Sequence, residues 1–427
     1  MRVVIIGGGA IGLSAAYYLQ QEQCEVIVLE KGDLTDGCSF GNMGYLSPSH
    51  FVPLASPGVV KQGLLWLLDA KSPFYIRPVV SWQLIDWGIK FMRAATLVHV
   101  KRSARPLADL LLFSKAETRR WIESGIFNFE YIEKGCVMWY KTPEAEKEEK
   151  NLAQQAEELG LKVTVLNREQ AEALEPAAQI RVRGGVLYRD DAHLYPNALM
   201  EQLPRVLENR GVHILRHCEV TGFERANGRI VSVRYRNNNA EESIEPDLVV
   251  LAAGSWSAQL ARFSDEYLPM MPAKGYSFTI ENPKSQLNYP CIFKEAKVAL
   301  TPWPNRLRIG STLEIGPMDD RIRLPRVQGI LRAVQEYMPG IAADPGVRAL
   351  DDPDLLLQRT WFGYRPLSAD GLPYIGFGRK NRNLLFATGH CMIGVSLAAG
   401  TGKLVAELAT GKPTSIPTAP FDPKRYS

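Results

Sequence analysis

The feature that most constrains this chain stands at its start. A β-branched apolar run, Arg2 to Ile6, flows directly into Gly7-Gly8-Gly9-Ala10-Ile11-Gly12. Such a run reads as a buried parallel strand, and the G-x-G-x-x-G spacing after it as a tight turn opening a helix. Gly7 permits the turn, Gly9 lets the backbone approach a pyrophosphate, and Gly12 lets helix and strand pack closely. A helix from Ala10 to Gln23 is expected, with Ala10, Ser14 and Ala15 pressed on the sheet, and then a strand from Glu25 to Leu29 ending at Glu30. Free N–H groups around Ala10 and Ile11 and the partial positive charge of the helix start favour phosphate. Glu30, with Lys31 beside it, is placed to accept hydrogen bonds from an adenosine ribose. A glycine turn alone is a weak signal. Strand, helix and acid in register make it a dinucleotide site rather than a structural turn.

The same segment imitates a secretory leader, with basic Arg2 ahead of an apolar stretch reaching Leu19. Its glycines argue instead for a retained strand, turn and helix. The expected location is therefore the cytosol or the cytosolic face of a membrane. No run of about 20 apolar residues suits a spanning helix.

At 427 residues the chain has room for two domains. A formal net charge of +4 is too small to argue for nucleic acid, and no zinc-finger spacing or RNA-recognition signature supports it. The six cysteines, at 24, 38, 136, 218, 291 and 391, form no CxxC pair, so free thiols are expected and no metal site. No Ser-His-Asp, HExxH or P-loop pattern points to a hydrolase or an NTPase.

Further segments bear on the kind of dinucleotide. Asp247 to Ala253 is a buried strand running into Gly254, Ser255 and Trp256, a second close approach of backbone to nucleotide. Val212 to Val220 reads as a strand, and Gly228 to Arg234 as a hairpin arm. Asn383 to Ala387 is a strand meeting Thr388-Gly389-His390, and Met392 to Leu408 then reads as a small-residue helix aimed back at the cofactor.

With Gly41-Asn42-Met43-Gly44-Tyr45-Leu46-Ser47-Pro48, Lys274-Gly275-Tyr276, Gly363-Tyr364-Arg365-Pro366 and Asp370-Gly371 added, the chain from Arg2 to about Thr410 resembles the D-amino-acid oxidase/dehydrogenase superfamily of FAD enzymes. Within it, the likeness is to the bacterial D-amino-acid dehydrogenase small-subunit type. The resemblance implies an α/β fold: a glutathione-reductase-like FAD-binding Rossmann domain interleaved with an α+β substrate domain on an antiparallel sheet. The expected boundaries are 1–47, 147–225, 244–262 and 360–427 for the first, and 48–146, 226–243 and 263–359 for the second. Helices are expected at Leu107 to Ile122, Leu324 to Tyr337 and the charged Glu144 to Glu158, and antiparallel strands within Asn128 to Tyr140 and Lys274 to Ile315.

For the cofactor, the resemblance adds Ser39, Asn42, Met43 and Gly44 of the first loop, Val220, Ala253, Gly254 and Trp256, and Gly389, His390, Met392, Ile393 and Gly394 before the last helix. FAD is expected to be non-covalent, because Cys38-Ser39-Phe40-Gly41-Asn42 lacks histidine and no cysteine precedes Cys391 in its segment. The implied reaction is oxidative deamination of D-amino acids to 2-oxo acids and ammonium, the Cα hydrogen leaving as hydride to flavin N5. The electrons pass on to a quinone or another acceptor. An oxidase of glycine, sarcosine or a cyclic imino acid is the alternative, and a non-catalytic flavin sensor or electron-transfer subunit a third reading.

Arg365 closes an apolar run, where a long cation needs a reason. It is expected to grip the substrate carboxylate bidentately, against a structural salt bridge with Asp370. Tyr276 is a candidate second carboxylate or cofactor-edge contact, or a packing residue. Lys274 would order a flavin-bound water or lie in solvent. His50 and Tyr45 are candidates to line the pocket. Between Ser56 and Arg102, Leu64, Trp66, Trp82, Trp87 and Phe91 interleave with Lys61, Lys71, Arg77, Lys90, Arg93, Lys101 and Arg102, which suits a membrane surface, an active-site cap or a subunit contact.

Overall fold

The computed structural model describes residues 1–58, 74–77, 79 and 81–426. The opening run forms β1 (Arg2–Ile6), whose Val3, Val4 and Ile5 have no exposed surface. Burial on both faces explains the unbroken apolar sequence. On one side β1 pairs in parallel with β2 (Glu25–Leu29), on the other with β13 (Leu248–Leu251), so that Ile5 lies between Val28 and Val250. With β9 (His213–Leu215), β20 (Leu384–Thr388) and the antiparallel β19 (Tyr374–Phe377), the order is β19-β20-β13-β1-β2-β9.

The helix Ala10–Gln21 packs on this sheet and is crossed by the helix Ala398–Thr410. A Cβ at Gly402 would lie 2.5 Å from the Ser14 carbonyl carbon, and one at Gly400 2.8 Å from Ser114 of the helix Leu97–Glu123. Small residues there are what allow three helices to stack closely. The last helix begins six residues later than the expected Met392. Residues 391–397 form turns instead, with Ser396 Oγ donating to Tyr45 O at 2.5 Å and accepting from Ser47 N–H at 3.3 Å. These bonds, with Gly394 in mid-stretch, tie the segment to the first loop rather than to a helical ladder.

A second, nine-stranded sheet runs β18-β14-β17-β16-β15-β5-β7-β6, with β4 beside β17. Its strands are β4 (Phe74–Ile76), β5 (Cys136–Tyr140), β6 (Val163–Asn167), β7 (Gly184–Tyr188), β14 (Met270–Glu281), β15 (Cys291–Phe293), β16 (Ala299–Trp303), β17 (Arg306–Ile315) and β18 (Trp361–Ser368). Its core packs on the helix Leu324–Tyr337 through Val327, Ile330 and Val334. A meander of β10 (Cys218–Ala226), β11 (Arg229–Asn237) and β12 (Ala240–Ile244) flanks the first sheet. The short pair β3 (Tyr45–Leu46) and β8 (Ala192–His193) anchors the first loop.

The expected boundaries therefore shift. β6 and β7, from the 147–225 stretch, and β18, from the 360–427 stretch, belong to the second sheet, while the hairpin within 226–243 pairs with β10. β7 is buried throughout, so its sequence does not say which sheet it joins. Of the aromatic and basic segment, Lys61, Leu64, Trp66 and Lys71 lie outside the described residues. The helix Trp82–Ala94 inserts Trp87 and Phe91, rings stacked with centroids 4.9 Å apart, and Trp87 Nε1 donates to Leu367 O at 3.1 Å. No helix among the described residues is long and apolar enough to cross a membrane.

Candidate active site

A continuous cavity of about 1000 Å³ lies between the two sheets. One end is the glycine turn. Gly7 has φ +107°, and a Cβ there would meet Ala252 O at 2.6 Å; a Cβ at Gly12 would meet Gly7 O at 1.9 Å. Gly9 faces the cavity, its nearest obstacle being Ser39 Oγ at 3.4 Å. Ser39 Oγ accepts from Ala10 N–H at 3.0 Å, and the helix start has no side-chain cap of its own. Glu30 receives the N–H groups of Gly8 (2.7 Å) and Gly32 (2.8 Å), leaving lone pairs on both oxygens for a ligand.

The cavity then passes Lys31, whose ammonium sits 3.9 Å from the centroid of Trp256, and Val220, Ala253 and Gly254. Asn42 and Met43 of the first loop line the other side. That loop is clamped by β17 and β16: Arg308 donates to Asn42 O (2.6 Å), Phe40 O (3.3 Å) and Asn197 Oδ1 (2.7 Å), and Thr301 Oγ1 to Met43 O (2.8 Å). The far end is made by Tyr45, His50, Arg365 and residues His390 to Ser396.

Arg365 reaches from β18 across bare Gly275 of β14, and its Nη1 donates to Thr312 O at 2.6 Å. No carboxylate pairs with it among the described residues. The alternative partner Asp370 is held by Arg425 through two bonds of 2.6 and 3.0 Å. Burial lowers the Arg365 pKa, yet a guanidinium stays charged in proteins. An enclosed, charged fork with no counterion is a carboxylate site in waiting.

Not every expected residue reaches the cavity. Gly12, Gly44 and Gly389 shape its walls from behind, Gly44 against Leu194 O and Gly389 against the Tyr374 ring. Lys274 and Tyr276 face the opposite side of β14, because side chains alternate along a strand. Lys274 Nζ donates to Asp319 Oδ1 and Arg321 O, and Tyr276 OH to Glu314 Oε2 at 3.2 Å. Their neighbours Gly275 and Ser277 line the cavity instead. Tyr45 lines it, but its hydroxyl is shared between Cys291 O (2.9 Å) and Leu300 O (3.0 Å), bracing β15 to β16. His50 is kept neutral by burial, its pKa down at about 4, with Nδ1 3.2 Å from Ser49 Oγ. The His390 ring turns to Thr401 Oγ1 at 3.0 Å and is likewise neutral, burial holding its pKa at about 3.

Four lining residues carried no recognisable sequence signal: Glu149, Tyr188, Lys294 and Lys297. Glu149 sits within the charged helix Pro143–Glu158, and the two lysines in a short polar turn, where solvated charge is the ordinary expectation. Arg308 hid equally well as one more cation on a strand.

The model of the FAD dependent oxidoreductase (DAO) family matches residues 2–408. The chain belongs to this family. The oxidoreductase is 30% identical to a D-amino acid dehydrogenase of Granulibacter bethesdensis, all of both chains being covered. It is also 30% identical to a D-amino-acid oxidase of Bradyrhizobium diazoefficiens, covering 100% of this chain and 99% of that one. The crystal structure of glycine oxidase from Geobacillus kaustophilus superimposes with a TM-score of 0.75 at 23% identity, covering 100% and 99% of the two chains, a likeness of fold.

The cavity fits FAD on its own terms. Its glycine end is a cradle that a Cβ at Gly7 or Gly12 would fill, its helix start has a glycine N-cap that contributes no side chain of its own, and it extends without interruption to the unpaired Arg365.

Proposed function

We propose that this FAD-dependent oxidoreductase oxidatively deaminates D-amino acids to 2-oxo acids and ammonium. The observation that carries the reading is the unpaired, enclosed guanidinium of Arg365 in the cavity that fits the cofactor. Gly7, Gly9, Ala10, Ile11 and Glu30 would hold the dinucleotide part, and Ser39, Asn42, Met43, Ala253, Gly254, Trp256 and residues 390–394 the rest. Bound FAD supplies the acceptor for the two electrons that leave the substrate's CH–NH₂ carbon. Arg365 fixes the carboxylate and with it the orientation of that carbon. No strong base is needed if the amine arrives neutral, and water then converts the released imine to the 2-oxo acid. Burial raises the thiols of Cys38 and Cys391, the latter to about 11, which makes both poor nucleophiles and supports FAD binding without a covalent bond. The D preference rests on the names of the relatives. Dye reduction with a panel of D- and L-amino acids tests it: D-isomers should reduce the dye, and turnover of L-isomers alone would refute it. Peroxide release in place of dye reduction would mark an oxidase.

One surface favours a membrane-bound quinone as acceptor. Trp82, 80% exposed, lies in a row with Ile85, Ile89 and Met92 on one face of their helix, next to exposed Leu97 and Val98. Arg93 near the end of the same helix, and Lys101 and Arg102 at the start of the next, are exposed as well. Apolar residues accompanied by cations suit an anionic lipid surface. Flotation with anionic vesicles should carry the protein along, and Trp82→Glu should abolish it; protein left behind by the vesicles would contradict this.

A further inference from the structure

The first loop and the Arg365 fork meet on the same strand. β18 presents Trp361, Gly363 and Arg365 to the cavity, and the residues directly opposite the first two on β14 are Ser277 and Gly275. Alternation along a strand puts all of them on one face. The Trp361–Ser277 pair holds the first loop. Ser277 Oγ donates to Gly41 O at 2.9 Å, and a Cβ at Gly41 would stand 2.1 Å from Trp361 Cδ2. The indole therefore lies flush against the bare α-carbon of the loop.

The next pair, Gly363 and Gly275, is bare, and a neighbouring side chain covers each glycine. A Cβ at Gly363 would meet Trp361 Cη2 at 2.3 Å and Cys38 Cα at 3.0 Å; one at Gly275 would meet Arg365 Nη1 at 2.1 Å. Directly opposed positions of an antiparallel pair present their Cβ atoms about 5 Å apart. The indole edge and the guanidinium lie over two such positions, within reach of a single small substrate. The bonds from Arg308 and Thr301 tie the first loop to β17 and β16. Over β18 the loop rests on the indole.

We infer that Trp361 is a positioning residue: its flat ring sets the height of the first loop above β18, and with it the distance from the flavin to a carboxylate held by Arg365. This rests on the deamination reading and adds to it the residue that aligns the two sites. A smaller side chain at 361 would let Gly41 settle toward the strand, and a methyl group at Gly41 would push the loop away. Gly41 has no left-handed backbone to protect, so crowding against the indole is what a methyl group there would cause. Either displacement moves the flavin relative to the carbon that Arg365 orients. A misplacement of about 1 Å can cost about a hundredfold in rate. Arg365 itself is untouched, so carboxylate binding should survive where the rate does not.

The test takes FAD-loaded wild type, Trp361→Leu, Trp361→Phe, Gly41→Ala and the combination of Trp361→Leu with Gly41→Ala. Butyrate, a carboxylate with no amine to oxidise, is titrated by calorimetry for its affinity and by visible absorbance for the change it causes in the flavin band. A D-amino acid at saturation gives the rate of anaerobic flavin reduction. Trp361→Leu should keep the butyrate affinity, lose most of the band change and slow flavin reduction by about tenfold or more. Trp361→Phe, which keeps a flat ring, should retain most of both signals. Gly41→Ala should show the same loss, and in the combined variant, where the methyl group enters space the indole has left, part of both signals should return. A Trp361→Leu enzyme with wild-type band change and reduction rate would overturn the inference. So would affinity and rate falling together, which would make Trp361 a substrate contact, or loss of FAD from that variant, which would make it a cofactor contact. If Trp361→Leu fails to fold, Gly41→Ala decides, and wild-type behaviour there overturns the inference. If no D-amino acid reduces the wild type while the butyrate band change still depends on Trp361, the deamination reading fails and the positioning role stands.

Discussion

The guanidinium of Arg365 lies against the bare α-carbon of Gly275 on the adjacent strand. A Cβ at Gly275 would stand 2.1 Å from Nη1 and 2.4 Å from Cζ of Arg365. The glycine is what lets the arginine cross β14 and reach Thr312 O. Gly275→Ala is therefore expected to displace the guanidinium while sparing the distant glycine turn. KM for any D-amino acid should rise by about tenfold or more, with the FAD content of the purified protein unchanged. Wild-type KM in the alanine variant would contradict this.

Arg365 itself gives a larger effect. Removing one partner of an enclosed charge pair costs about 2–5 kcal/mol. Arg365→Ala should raise KM by about two orders of magnitude and leave FAD in place. FAD lost with the arginine would move Arg365 from substrate to cofactor. Arg365→Lys should recover little, because an ammonium cannot offer the paired donors of the fork.

At the other end of the cavity, Glu30 is bonded to the backbone N–H groups of Gly8 and Gly32. Glu30→Ala removes a ligand acceptor and loosens the glycine turn together. FAD affinity, followed by flavin fluorescence, is expected to fall by about tenfold or more, while KM at saturating FAD changes less. Unaltered affinity would remove Glu30 from the cofactor site.

How far the site was legible depended on how local its determinants are. The glycine turn, β1, β2 and Glu30 follow one another within 30 residues, and local sequence rules describe them. Arg365 stood out as a cation ending an apolar run. Lys274 and Tyr276 were misplaced because their facing depends on the parity of β14, whose pairing with β17 is shifted by an irregularity between those two residues. Lys297 was invisible because Lys294-Glu295-Ala296-Lys297 reads as a solvated turn until the fold wraps a cavity around it. The start of the last helix was missed because Ser396 bonds to Tyr45 and Ser47, some 350 residues away in sequence. That tertiary constraint outweighs local helix preference.

A pH dependence follows from Asp191, which accepts from Ser49 N–H (3.0 Å) and Oγ (2.6 Å) and so holds the loop that carries His50. Burial raises its pKa to about 7, against the opposing effect of those bonds. A carboxyl group whose folded pKa lies above its unfolded value contributes stability fully present below the unfolded value, near 4. That contribution is lost as pH rises through about 7. Asp191→Asn, uncharged at every pH, should gain in Tm relative to wild type between pH 5 and pH 8. A Tm difference that stays constant across that range would rule out a carboxyl that titrates in the fold.

The most direct measurement is an anaerobic titration of the FAD-loaded protein with a D-amino acid, reading the visible flavin absorbance. Cofactor and carboxylate sites in one cavity predict that the yellow band bleaches in wild type, and that in Arg365→Ala it bleaches only at far higher substrate. A flavin that stays oxidised with every D-amino acid tried, acidic and neutral, would contradict the assignment of this cavity to amino-acid oxidation.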